Sequence, residues 1–136
     1  MATEFLYNQG DEYKFERYIS ADDVKKFAEV VGDLNPIHLD VEFAERSFFK
    51  QRIVHGAFLA GLISKVLGMD FPGQGTVYIS QNSVFKRPVY VDTTVTVEVR
   101  VTEVITEKRR LVLDTNILNL DGKVCLNGSA TVWLPE

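Results

Sequence analysis

Asp33, Asn35, His38 and Asp40 crowd into one short segment, Gly32-Asp33-Leu34-Asn35-Pro36-Ile37-His38-Leu39-Asp40. A carboxylate and an imidazole this close in sequence could pass a proton to and from one bound water, which is general acid–base chemistry. Pro36 lacks an N–H and pushes Asn35 out of the helical region, so the segment should be bent and non-helical where it leaves a preceding helix at Gly32. A bent segment can aim several side chains at one point. The same residues also suit an ordinary helix-to-helix turn in which Asp33 and Asn35 bond to neighbouring backbone, and on residue physics alone that plainer reading is the stronger. Asp40 reads as a helix cap. His38 shifts the balance, because it is one of only 2 histidines and is flanked by Ile37 and Leu39, residues that favour burial.

The elements around this segment follow from hydrophobic period. A short strand is expected from Tyr13 to Ile19. Ser20 can then cap a helix that puts Val24, Phe27, Ala28 and Val31 on one face and stops at Gly32. A second helix should start at Asp40, carry Glu42 in its first turn and end near Lys50, Gln51 and Arg52, where cations suit the helix dipole. The stretch Ala57 to Leu67 is apolar nearly all round, which predicts a buried helix ended by Gly68. Its small residues Ala57, Ala60, Gly61 and Ser64 form a stripe that backbone or a ligand could approach closely. Beyond Gly73 the period becomes two, with Val95, Val97, Val99 and Val101 alternating with Thr94, Thr96, Glu98 and Arg100, as in half-buried strands. Asp121-Gly122 signals a hairpin between Leu111–Leu120 and Lys123–Leu134, and a further turn is expected around Glu107 to Arg109. An antiparallel meander wrapped around one apolar helix buries both, giving an α+β layer architecture.

Composition narrows the chemistry. With 136 residues and 46% hydrophobic content, the chain fits one compact domain, residues 1–136, with a single core. No apolar stretch reaches the roughly 20 residues that span a bilayer, and Met1 to Gly10 lack the order of a signal peptide, so a cytoplasmic protein is expected. The 19 acidic and 15 basic residues are mixed along the chain, for a net charge of -4, and no basic stripe points to nucleic acid. Cys125 is the single cysteine. Alternating with Asn127 and Ser129, it reads as a packed thiol rather than a nucleophile. No metal is expected: the residues after Asp33 do not continue an EF-hand loop, and one histidine without a nearby cysteine makes a poor zinc site. No Gly-x-Ser-x-Gly elbow is present.

The run Gly32-Asp-Leu-Asn-Pro-Ile-His38, followed by Phe43-Ala44 and Arg52-Ile-Val-His-Gly56, closely resembles the MaoC-like, (R)-specific enoyl-CoA hydratases. The resemblance covers the whole chain, Phe85-Lys-Arg-Pro-Val89 included, and departs at Val31, where a small residue is expected before the Gly-Asp pair. It implies the hot-dog fold, an antiparallel sheet around a central apolar helix, and at least a homodimer. It also implies that Asp33 and His38 hold the reacting water, while Asn35 and Pro36 shape the turn. Asp33 is expected to act as base with His38 orienting the water, although the two roles could be exchanged or coupled. Gly56, at the start of the apolar helix, could offer its backbone N–H to the thioester carbonyl. Without the resemblance, close packing would be its plainer role. His55 is expected to shape the site or line the pocket. Lys86 and Arg87 could meet coenzyme A phosphates, but adjacent strand residues face opposite ways.

The resemblance therefore implies a cofactor-free lyase that hydrates trans-2-enoyl-CoA reversibly to (3R)-3-hydroxyacyl-CoA. A dehydratase acting on acyl carrier protein thioesters is the alternative. Further off stand a thioesterase of the same fold and a non-catalytic acyl-CoA-binding subunit, the latter disfavoured by the intact Asp33 and His38.

Overall fold

The structure is a computed structural model that describes residues 4–136; the first three positions of the expected domain lie outside the described residues. Five antiparallel strands form one sheet in the order β1-β3-β4-β5-β2, with β1 spanning Glu12–Ile19, β2 Val77–Phe85, β3 Thr93–Ile105, β4 Arg110–Leu118 and β5 Val124–Trp133. The period-two pattern has the expected consequence in β3, where Val95, Val97, Val99 and Val101 are each at most 1% exposed. Leu111, Leu113, Thr115 and Ile117 of β4 continue the same buried face. Against it lies helix α4, Gly56–Lys65, through Leu59, Leu62 and Ile63. Each such side chain stabilises the fold by roughly 1.5–3 kcal/mol relative to exposure. The α+β layering expected from the sequence is present.

Helix α1, Ala21–Val31, begins with a full capping box. Ser20 Oγ accepts from Asp23 N, and the Asp23 carboxylate accepts from Ser20 N, both at 3.0 Å. The helix ends at Gly32, whose φ of 85° is open to glycine at little cost. Val24 and Ala28 are fully buried, but Val31 is 55% exposed and leaves the expected apolar face.

Four expectations need correction. Residues Pro36–Leu39, expected to be non-helical, form a single helical turn, α2. Proline is excluded from helix interiors but suits the first position, and Asn35 caps the turn by accepting from Ile37 N at 3.2 Å. Helix α3 is only Val41–Glu45, capped by Asp40 as expected, and stops well short of Lys50. The Ser47 hydroxyl ends it by donating to Ala44 O at 2.6 Å and accepting from Phe49 N at 3.2 Å, in competition with the helical ladder. Gly68 does not end the long helix. It lies inside a π-helical turn, Val66–Asp70, closed by Phe71 N–H donating to Val66 O at 2.8 Å. Moreover, α4 is buried on one face only: Ala57, Gly61 and Ser64, members of the small-residue stripe, are exposed in the single chain.

Candidate active site

Three backbone bonds hold the site's frame. Ile53 N–H donates to Ile37 O at 3.2 Å, Val54 N–H to Val89 O at 2.8 Å and Val91 N–H to Arg52 O at 3.2 Å. The segment entering α4 is thereby tied to α2 on one side and to the chain after β2 on the other.

His38 sits on α2, buried to 9% exposure. Its Nδ1 lies 2.6 Å from Ile53 O. A carbonyl can only accept, so Nδ1 carries the proton and Nε2 keeps a lone pair. Burial is the main influence on this ring and pushes its pKa below the ordinary 6.5; the His55 ring acts in the same sense, while the bond to Ile53 and the Asp33 charge oppose it. At neutral pH His38 is therefore a neutral imidazole with one free acceptor.

Asp33 stands beside it on the exposed turn after α1, its Oδ1 accepting from Asn35 N at 3.2 Å. Nitrogens of His38 and His55 and a carboxylate oxygen of Asp33 all lie within 4.8 Å of one another. Two hydrogen bonds of ~2.8 Å meeting at one water span about 4.6 Å, so a single water can bridge carboxylate and imidazole. The same cluster suits a metal poorly. The two rings stack with centroids 3.7 Å apart and planes 24° apart, so their in-plane lone pairs run side by side instead of converging. One nitrogen of each ring also faces a carbonyl, Ile53 O for His38 and Asp33 O for His55. A zinc ion needs its ligand nitrogens at ~2.0–2.1 Å.

His38 opens onto a cavity of about 490 Å³ whose wall includes Phe49, Ile53, Gly56, Phe85, Lys86 and Arg87. Gly56 is the first residue of α4, and among the described residues its N–H has no acceptor. This orphan donor and the positive end of the helix dipole suit an oxygen that gains negative charge. A Cβ at Gly56 would come within 2.8 Å of the Phe85 ring, so close packing and a donor role coexist here. A second cleft of about 530 Å³, beside α1 and including Leu34, Leu39 and Arg52, contains no histidine.

The remaining expected residues fall into place around this centre. Asn35 and Pro36 are exposed and build the α2 turn without reaching the cavity wall. His55 is 2% exposed, its ring stacked on that of His38, and like Asp33 it is not part of the cavity wall. Lys86 and Arg87 both line the cavity, contrary to the expectation that they face apart. Strand β2 ends at Phe85, so strand alternation no longer governs them. Arg87 also donates to Val124 O at 2.7 Å. Cys125 is fully buried in the core, and burial pushes its thiol pKa up, as suits a packed thiol. The Ile53 carbonyl and the Phe27 ring, the latter 4.9 Å from His55, were not foreseen. Backbone acceptors leave no mark in residue type. Phe85, however, heads the noted Phe85-Lys-Arg-Pro-Val89 run, and its place over Gly56 was the missed part.

The described residues contain no helix long and apolar enough to cross a membrane. The model for the MaoC like domain matches residues 5–120. A 3-hydroxybutyryl-CoA dehydratase of Methylorubrum extorquens is 47% identical over 121 residues, covering 89% of this chain and 76% of the relative. An (R)-specific enoyl-CoA hydratase of Aeromonas caviae is 40% identical over 126 residues, covering 93% and 94%. The solved structure of the (R)-hydratase from A. caviae involved in PHA biosynthesis superposes with a TM-score of 0.93 at 38% identity, over 96% of this chain and 98% of that one. The hot-dog architecture expected from the resemblance is therefore the fold of this chain.

Proposed function

The chain belongs to the MaoC-like domain family, and from that membership we propose a hydro-lyase that adds water reversibly to trans-2-enoyl-CoA, giving (3R)-3-hydroxyacyl-CoA. The observation that carries the mechanism is convergence. His38, whose Nε2 is free, and Gly56 line one cavity, and a carboxylate oxygen of Asp33, which is not itself in the cavity wall, lies within 4.8 Å of a His38 ring nitrogen. In this reading the water bridging Asp33 and His38 attacks C3 of the enoyl thioester. Asp33 takes one of its protons as the C–O bond forms, with His38 holding the water's orientation. Electrons of the double bond move toward the carbonyl, whose oxygen becomes enolate-like and is stabilised by the Gly56 N–H. The proton is then delivered to C2, restoring the carbonyl. Dehydration is the same path reversed.

Lys86 and Arg87, both at the cavity, are positioned to meet phosphates of the carrier arm as it leaves the site. A second copy of the chain completes the reading. β2 is an edge strand with exposed Ile79, Val84 and Phe85, at 44%, 55% and 53%, and such an edge left open invites pairing. Pairing of two β2 edges in a homodimer would cover it.

The test is loss of enoyl-thioester absorbance with crotonyl-CoA and longer trans-2-enoyl-CoAs, with chiral analysis of the product. Release of free thiol with the double bond untouched would identify a thioesterase instead. Sedimentation as a monomer at micromolar concentration would refute the dimer.

A further inference from the structure

His55 carries two local penalties that its surroundings do not require. It is the N-cap residue of α4 yet makes no side-chain cap bond, at a position where serine, threonine or aspartate would bind an orphan N–H. Its Nδ1 is buried without a hydrogen-bond partner, the single such side-chain atom among the described residues. A phenylalanine would fill the same space against Phe27 and His38 with no polar atom to satisfy.

What the imidazole supplies in return is one directed bond. Its Nε2–H donates to the Asp33 backbone carbonyl at 3.1 Å. That tie matters because Asp33 lies on an exposed turn, where its carboxylate is held by Asn35 N, only two residues away in the same turn. The His55 bond, spanning 22 residues of chain, anchors the turn to the start of α4. The His55 ring also stacks on His38 at 3.7 Å, so one side chain sets the Asp33 peptide, backs the His38 ring and immediately precedes Gly56.

We infer that His55 is a positioning residue, whose Nε2–H holds Asp33 in register with His38 and the Gly56 N–H. The inference rests on the hydration reading above. It acts through Asp33 and not on the substrate, so its loss should lower kcat and leave KM nearly unchanged. In folded His55→Phe, which keeps the stacked ring and removes the donor, kcat on crotonyl-CoA should fall on the order of 10- to 100-fold, the scale of a misplaced catalytic group. His55→Gln should recover most of that loss, because its amide nitrogen can reach the place of Nε2. Unchanged kcat in folded His55→Phe, or equal losses in Phe and Gln, would overturn the inference.

Nitrogen NMR of the wild-type protein labelled on its 2 histidines tests the bond without any variant. His55 should be the Nε2–H tautomer and His38 the Nδ1–H tautomer. A proton on His55 Nδ1 with none on Nε2 removes the donor and refutes the proposal even if His55→Phe does not fold. A wild-type protein inert toward every enoyl-CoA would instead defeat the hydration reading, and this inference with it.

Discussion

Replacing Gly56 by alanine and by proline separates the backbone donor from the space around it. An added Cβ would stand 2.8 Å from Phe85 Cζ and 2.9 Å from Cε1. Ordinary carbon contacts are ~3.5–4.0 Å, so the ring must yield by about 0.7 Å or more. The close atoms belong to a side-chain ring and not to backbone, so the fold should tolerate the change while the cavity wall shifts. Alanine thus reports the steric effect with the N–H intact. Proline adds the same Cβ and removes the N–H. The local backbone accepts it: Gly56 is the first residue of α4, where proline is favoured, and His55 has φ -57° and ψ 136°, suited to precede proline. The ratio of the two variants therefore reports loss of the donor together with the ring carbons that take its place. Loss of one oxyanion donor costs on the order of 10²–10³ in kcat, or about 2.7–4 kcal/mol. Turnover of crotonyl-CoA, normalised to folded protein by circular dichroism, should show Gly56→Pro that far below Gly56→Ala. If both variants fall together, within about threefold, the N–H does not stabilise the enolate and Gly56 serves packing alone.

Asp33→Asn should preserve the fold and reduce kcat by on the order of 10²- to 10⁴-fold, since the amide keeps an acceptor for Asn35 N but cannot take a proton from water. Near-normal turnover in the folded variant would refute the assignment of the base, and combining it with His38→Gln should add little further loss, because groups holding one water act as a unit. Burial lowers the His38 pKa from 6.5, so the unfolded chain binds its proton more readily. Between the folded pKa and 6.5, stability should therefore rise with pH, level off above 6.5, and fall on acidification through that window. Thermal melts of His38→Gln should lose that share of the pH dependence, and an identical slope in both proteins would count against the buried neutral imidazole. Ser20→Ala breaks the capping box of α1 and should cost about 1 kcal/mol in urea unfolding with activity per folded molecule intact.

Where residue type acts through near neighbours, the sequence was sufficient. Ser20 and Gly32 bound α1 because a hydroxyl three residues from a free N–H and a residue open to positive φ act locally. The alternating valines of β3 specify a buried face, and Asp121-Gly122 the hairpin between β4 and β5, for the same reason. The segment from Gly32 to Asp40 carried the family resemblance, which its physics alone left open. Local bonds that compete were harder to read. Proline at the first position of α2 and the Ser47 hydroxyl at the end of α3 each reversed an expected boundary, since one residue type can break or begin a helix according to its place in it.

Only the tertiary structure decided what long-range pairing brings together. Placing β2 at the edge beside β5 exposes its apolar side chains, a result of sheet order and not of period. It likewise sets Phe85 over Gly56 and sends Lys86 and Arg87 to one cavity once the strand has ended. The Ile53 carbonyl that fixes the His38 tautomer, and the His55 ring that reaches back to Asp33, belong to backbone and side chains 15 and 22 residues away. Hydrogen bonds of this kind depend on where the packed elements place each atom, and residue type alone carries no record of that distance.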